Sequence, residues 1–424
     1  MLHQIEGSKA MARTIALCRP QVVCAYPITP QTHIVEGVGD LIRLGELENC
    51  EFINVESEFA ALSVAIGASA AGARAYTATA SQGLLFMAEA VYNAAGLGLP
   101  IVMTLGNRAI GAPINIWNDH SDAMALRESG WIQLFAESNQ EAADLHIVAF
   151  RLAEELSVPT MVCVDGFILT HAVERIDIPD QAAVDAFLPP YEPMQSLDPA
   201  DPISIGAMVG PDAFTEVRYL QYFKQHSALT LIEKLAVEFE QRFGREAGGL
   251  LRTYEAEDAA TLVVAMGSIN GTIKDVIDEM RAEGVAIGLV TLIAFRPFPA
   301  DALRQALARA RNVVVIDRAV DVGMGGPLAG NVAIALRELA DPPAMHSAIV
   351  GLGGRPTPKS SLHRLFRQVA IEPWEGPHFL DLNERVAARE LHRRGKTRRV
   401  GPAAEGILKE LEKERVEKLA ERTA

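Results

Sequence analysis

The sequence predicts an α/β protein with a first domain on a doubly wound parallel sheet and a second, smaller α/β domain behind it. Short apolar runs alternate with helical stretches of about 10–15 residues from residue 21 to residue 168, the rhythm of βαβ units. The same rhythm restarts near residue 260, after a stretch of different character. Of 424 residues, 49% are hydrophobic and 22% charged, a balance that sustains buried cores and excludes global disorder.

In chain order, residues 22–29, 52–57, 75–81, 99–106 and 158–167 read as strands, and 58–72, 84–98 and 140–156 as helices between them. The strands are near-continuous apolar runs, as expected where helices cover both faces of a parallel sheet. Residues 175–250 change character: proline-rich patches at Pro189–Pro190, Pro199 and Pro202 precede a long helical pattern over 214–244. This stretch has too much structure for a flexible linker and too few strands for a third sheet, so it reads as a connection packed on both lobes.

The second rhythm runs strand 260–268, helix 272–284, strand 286–295, helix 299–310 and strand 311–320. Gly284 stands where a left-handed helix cap is expected, and Asp301 near a helix start. The expected division is therefore 1–175, 176–255, 256–375 and a charged helical tail, 376–424. In the tail a basic patch (Arg393, Arg394, Lys396, Arg398, Arg399) precedes a helix with Glu and Lys at i, i+4 spacing. It reads either as a solvated helix or as an arm lying on a partner subunit.

Several classes are set aside by composition. With 54 acidic against 39 basic residues the net charge is −15, a poor match for nucleic acid, whose phosphates need clustered Lys and Arg. There is no secretory leader pattern and no run of 18 uncharged apolar residues, so a cytoplasmic protein without a membrane span is expected. Cys18, Cys24, Cys50 and Cys163 lack C-x-x-C spacing and read as buried thiols, so a redox centre is expected from another chain.

Four strand ends carry residues suited to chemistry. In Tyr26-Pro27-Ile28-Thr29-Pro30 two prolines stiffen a turn that holds Thr29 where ligands of open α/β sheets collect, although such a turn is also ordinary punctuation. Glu56, Ser57 and Glu58 precede an almost wholly apolar helix, so a carboxylate is about to be buried; a helix cap is the competing reading. In Ser81-Gln82-Gly83 the glycine permits close approach of backbone to a ligand. Arg108, after Gly106 and Asn107, suits an anionic substrate or a structural ion pair. Asn118-Asp119-His120-Ser121-Asp122 suggests a His–Asp pair or a metal site, but no third ligand has suitable spacing, and no metal is expected. The turns at Gly267-Ser268 and Gly323-Met324-Gly325-Gly326 do not fit a dinucleotide fingerprint.

Taken together, YPITP, VESE, ASQGL, GNRAIGAPINIWNDHSD and VPTMVCVDGF, followed by RPFP, VVVIDRAV and GLGGR, closely resemble the alpha subunit of the pyruvate:ferredoxin oxidoreductase family, the thiamine-diphosphate-dependent 2-oxoacid:acceptor oxidoreductases. The resemblance covers roughly residues 5–370. It implies a pyrimidine-facing, thiamine-diphosphate-type domain plus a transketolase C-terminal-like domain. A beta subunit is then to supply the diphosphate and Mg2+ site. Gamma and ferredoxin-like delta subunits, [4Fe-4S] clusters and a flavin (FAD) subunit linked to NAD belong to the implied partner set, and coenzyme A is the acyl acceptor.

By motif, the resemblance gives Glu58 the bond to the aminopyrimidine ring, with Ser81, Gln82 and Gly83 beside the cofactor, and gives Thr29 and Arg108 the substrate carboxylate. The chain departs from the family at Gln31, where serine is frequent, and in its longer tail. Gln31, Gly111 and Ala112 leave the substrate open between pyruvate, the commonest, and an aromatic 2-oxoacid as in phenylglyoxylate dehydrogenases, which give benzoyl-CoA. Two other readings are another thiamine-enzyme half and a non-catalytic scaffold subunit.

Overall fold

A computed structural model describes residues 2–371, 374, 376–394 and 403–423. The chain divides into two compact units, Met1–His378 and Phe379–Ala424.

The first unit opens with β1 (Leu2–Glu6), α1 (Gly7–Leu17), β2 (Val22–Cys24), α2 (Thr32–Arg43), β3 (Glu51–Ile53), α3 (Glu58–Ala70), β4 (Ala75–Thr79), α4 (Ser81–Phe86), α5 (Ala88–Leu97), β5 (Val102–Asn107), α6 (Ser121–Ala125), β6 (Ile132–Phe135), α7 (Asn139–Leu156) and β7 (Thr160–Asp165). There follow β8 (Val173–Asp177), α8 (Gln181–Phe187) and the 33-residue α9 (Pro211–Phe243). The second half runs β9 (Leu251–Tyr254), β10 (Thr261–Ala265), α10 (Ile269–Ala282), β11 (Ile287–Leu292), β12 (Ala294–Arg296), α11 (Ala300–Leu307), β13 (Asn312–Asp317), α12 (Pro327–Leu336), β14 (Ala344–Ile349), α13 (Lys359–Ile371) and β15 (Pro377–Phe379).

Seven strands form one sheet in the order β12-β6-β7-β5-β4-β2-β3. All of its pairs are parallel except β12 with β6. From β2 the chain goes one way to β3 and the other way to β4, so the strand order reverses there. The loops after β2 and β4 part at that point and leave a crevice outside the carboxyl ends of the strands. Strands β4, β5 and β7 are buried throughout, which explains why their sequences read as unbroken apolar runs. A second sheet has the order β15-β14-β13-β10-β11-β9, and β1 pairs antiparallel with β8.

Some expected elements change. Residues 286–295 do not form one strand: the chain breaks at Ile293, where the amides of Ile293 and Ala294 both donate to the Leu250 carbonyl (3.1 and 3.0 Å). β11 stays in the six-stranded sheet, and β12 closes the edge of the seven-stranded one. Only Val22–Cys24 of 22–29 is extended, and the helical run 84–98 is split at Met87. The connection is also less strand-poor than expected at its start, where β8 belongs to the two-stranded sheet. Gly284 takes φ +86°, the left-handed value expected after α10.

A shared core joins the two large sheets: Phe135 of β6 meets Phe295 of β12 edge-on at 6.2 Å, and both pack in one cluster with Leu292, Leu303 and Val315. A polar knot lies beside it. Asp165, at the end of β7, takes hydrogen bonds from His120 Nε2 (2.8 Å), Arg318 Nη1 (2.7 Å), the Ser268 amide (2.8 Å) and the Ser268 hydroxyl. Burial pushes this carboxyl up, but Arg318 and His120 outweigh it and hold the group well below the usual carboxylate range. A depressed folded pKa contributes stability above the unfolded value near 3.9 that is lost only as pH falls toward the folded one. Asp165→Ala leaves buried Arg318 uncompensated, so a loss of about 3–5 kcal/mol is expected at neutral pH, read as a lowered denaturation midpoint.

Three cysteines are buried and Cys50 is half-buried, all of them free thiols. Burial pushes the Cys24 thiol up to about 11. Among the described residues no helix is long and apolar enough to cross a membrane. In the second unit, α14 (Glu384–Arg394) and α15 (Ala403–Thr423) are joined by the ion pairs Arg385–Glu414 and Arg389–Glu410. The basic patch of Arg393, Arg394, Lys396, Arg398 and Arg399 lies outside the side chains described.

Candidate active site

The site forms at the crevice where strand order reverses. On the β3 side, the Ser57 hydroxyl caps α3 by accepting the Ala60 amide (3.2 Å). The serine, not a glutamate, is therefore the cap, and Glu56 is exposed. Glu58 follows at the first helical position, 8% exposed. It makes no hydrogen bond or ion pair with any described residue. A carboxylate this buried normally has a partner.

Across from it, β4 ends in Thr79, whose hydroxyl is buried and without a partner among the described residues. The chain then turns through Ser81, which takes φ +51°, unusual for a residue other than glycine and a mark of stored strain. Gly83 sits against both groups: a Cβ there would fall 2.5 Å from Thr79 Oγ1 and 2.8 Å from Glu58 Oε1. An unpaired carboxylate, an unpaired hydroxyl and a glycine face together fit the polar edge of a flat heterocycle.

Between the ends of β5 and β2 the guanidinium of buried Arg108 donates through Nη1 to the Thr29 carbonyl (2.8 Å) and through Nε to the Asn115 carbonyl (3.1 Å). Its Nη2 has no protein partner among the described residues. Burial lowers the pKa of Arg108, and Asp122 partly restores it; the group stays charged. Thr29 is exposed. Gln31 folds away, its Nε2 donating to the Tyr26 carbonyl (2.9 Å). Gln82 reaches the backbone of Gly111, where an added Cβ would meet its Nε2 at 2.7 Å.

The loop between Arg108 and α6 is tied down by the turn at residues 351–354: Asn115 Nδ2 donates to the Gly353 carbonyl (3.1 Å), and the Gly353 amide to Asp119 Oδ2 (3.0 Å). Both lobes of the first unit therefore shape the crevice.

The structure thus gathers the sequence candidates into two groups, Glu58 with Gly83 and Thr29 with Arg108, and the Ser81 turn lies between them. Sequence reasoning missed Thr79, hidden inside an apolar strand run. It also gave no role at the crevice to Asp122, whose buried carboxylate accepts the amides of Ser81 and Arg108. In the segment around His120, Asp119 and Asp122 accept backbone amides, and the histidine pairs with Asp165 rather than with an aspartate of its own segment.

Comparison with known proteins shows what the chain is similar to. Residues 13–236 match the family described as pyruvate flavodoxin/ferredoxin oxidoreductase, thiamine diphosphate-binding, and residues 259–361 match pyruvate:ferredoxin oxidoreductase core domain II. The chain is 46% identical to pyruvate synthase subunit PorA of Methanosarcina barkeri, over 90% of this chain and 97% of that one. It is 40% identical to ketoisovalerate oxidoreductase subunit VorA of Pyrococcus horikoshii, over 83% and 89%. Among solved structures it is similar in fold to the 2-oxoglutarate:ferredoxin oxidoreductase from Magnetococcus marinus with 2-oxoglutarate, coenzyme A and succinyl-CoA bound. That likeness has a TM-score of 0.67 at 18% identity, over 87% of this chain and 65% of that chain.

Proposed function

Since the chain belongs to the pyruvate:ferredoxin oxidoreductase family, as an alpha-type subunit of a 2-oxoacid oxidoreductase, we propose that it supplies the aminopyrimidine half of a site where pyruvate is oxidatively decarboxylated to an acyl-CoA. The observation that carries this reading is Glu58, buried and unpaired, facing Gly83 and Thr79. The relatives named pyruvate synthase, at 44–46% identity, favour pyruvate over the branched substrate in the name of the 40% relative.

Thiamine diphosphate, when bound, supplies a carbon nucleophile and a sink for the electron pair released with carbon dioxide. Glu58 holds a proton at the aminopyrimidine ring nitrogen, a transfer that needs a carboxyl kept from water and from other partners. Gly83 and the Ser81 turn line the ring, and Gln82 closes it off on the Gly111 side. The Thr29 hydroxyl and Arg108 Nη2 orient the substrate carboxylate, so that the bond to be broken is presented in one geometry. Partner subunits complete the site: a beta subunit with the diphosphate and Mg2+ site, and gamma and ferredoxin-like delta subunits with [4Fe-4S] clusters that carry electrons to ferredoxin. NAD through an FAD subunit is the alternative acceptor.

The test is dye reduction by the complex purified through this chain, with thiamine diphosphate and coenzyme A. Pyruvate is expected to be turned over in preference to 2-oxoglutarate, branched-chain and aromatic 2-oxoacids. Preference for an aromatic acid refutes the pyruvate assignment, and no turnover from an intact, iron-containing complex refutes the catalytic one.

Gly83→Ala puts a methyl between Glu58 and Thr79. At 2.5–2.8 Å something must shift, and the Glu58 carboxylate is the movable group. The expected result is a rise of about tenfold or more in the thiamine diphosphate concentration needed for half-maximal activity, read by titrating cofactor into dialysed complex. An unchanged requirement refutes the placement of the ring at Gly83.

A further inference from the structure

Asp122 is fully buried in α6, and four N–H groups converge on it. Oδ2 accepts the Ser81 amide (2.9 Å) and the Arg108 amide (3.0 Å). Oδ1 accepts Asn107 Nδ2 (2.9 Å) and the Ala123 amide (2.8 Å). Ser81 and Arg108 stand at the carboxyl ends of different strands, β4 and β5, and one oxygen atom spans them.

We propose that Asp122 is a positioning residue that clamps the cofactor-side turn at Ser81 to the substrate-side Arg108 through a single shared oxygen. Resting on the function proposed above, this adds a residue that touches neither ligand and sets the spacing of the groups that do.

The donors that meet Asp122 have few alternatives. Ser81 is held at a strained φ of +51°, and its amide bonds to no acceptor other than Asp122 among the described residues. A strained turn persists only where its surroundings over-determine it. A neutral acceptor would satisfy the two amides less firmly than a carboxylate does. Keeping a carboxylate here has a cost: burial pushes its pKa up to about 6, against the pull of all four hydrogen bonds. Arg108 and the Cys163 thiol are the other titratable groups coupled to it. A group serving only to fill the core would not need the charge. Two other ties relate these strand ends, the parallel pairing of β4 with β5 up to Thr79 and Leu105 and the Ser81 hydroxyl donating to the Ala109 carbonyl (2.5 Å); Asp122 adds to them one acceptor that fixes both the Ser81 and the Arg108 amides.

The experiment uses the assembled complex with Asp122→Asn, which keeps the shape but turns one acceptor oxygen into a donor. A clamp predicts that two constants rise together, each by about tenfold: the KM for the 2-oxoacid and the half-saturating concentration of thiamine diphosphate. In an Arg108→Ala background, Asp122→Asn is expected to add less than about twofold to the 2-oxoacid loss while still weakening cofactor binding. Asn107→Ala removes one brace on Oδ1 and leaves both Oδ2 bonds in place. It is expected to raise both constants by about two- to threefold and serves where Asp122→Asn fails to assemble.

A lowered amount of active complex with both constants unchanged overturns the proposal and leaves Asp122 a packing residue. Movement of only one constant overturns the shared clamp. Unchanged constants in Asn107→Ala, where Asp122→Asn does not assemble, overturn it as well. Failure of the function proposed above is distinguishable, because it shows as absent turnover in the wild-type complex.

Discussion

Replacing Glu58 with glutamine is expected to lower turnover by about a thousandfold or more at saturating thiamine diphosphate and substrate, while the complex assembles and unfolds as the wild type does. The size follows from the proposed chemistry, in which moving a proton at the cofactor ring falls to this one group and positioned acid–base catalysis contributes about 10²–10⁴-fold. The unchanged stability follows from the geometry, since Glu58 makes no bond to any described residue and Ser57 caps the helix without it. A buried carboxylate without a partner costs free energy, so glutamine leaves the fold at least as stable. The competing idea, that Glu58 merely complements the dipole of α3, makes the opposite forecast. It gives full activity and a stability loss of about 0.3–1 kcal/mol. Dye reduction and thermal unfolding on the same preparation separate the two, and retention of roughly a tenth of wild-type turnover sinks the catalytic assignment.

The parts of this site that could be read from sequence are those where local chemistry and position in a βα unit coincide. A proline-flanked Thr29, a carboxylate ahead of an apolar helix and an arginine after a buried strand each stand at a carboxyl strand end, and parallel topology brings such ends to one edge. Their company with Asp122 was not legible. Its motif holds two aspartates three residues apart, Asp119 and Asp122. Nothing local tells which will meet the Gly353 amide and which the amides of Ser81 and Arg108, partners 234, 41 and 14 residues away. The break at Ile293 escaped for a related reason. β11 and the start of β12 are buried, as is Ile293 between them, so no polar residue marks where the chain leaves one sheet for the other. Apolar periodicity reports burial, not which sheet does the burying.

Arg108 is the second residue whose loss should dominate. Arg108→Ala removes the cation proposed to face the substrate carboxylate and also the Nη1 bond that holds the Thr29 carbonyl, so both proposed substrate-orienting groups are loosened at once. A fall in kcat/KM of about 30- to 1000-fold is expected, equivalent to about 2–4 kcal/mol of transition-state stabilisation from a desolvated, preorganised donor. Lysine should recover little of it. The guanidinium spends Nη1 on Thr29 and Nε on Asn115 and has Nη2 left for the proposed substrate contact, a three-way division that a single ammonium cannot reproduce. Because the arginine acts partly through the Thr29 turn, Thr29→Ala made in the Arg108→Ala complex should cost less than it does in the wild type. Steady-state kinetics on the wild-type, single-variant and double-variant complexes tests this. Losses that simply multiply would mean that Thr29 and Arg108 meet the substrate independently and that the bond between them is only structural.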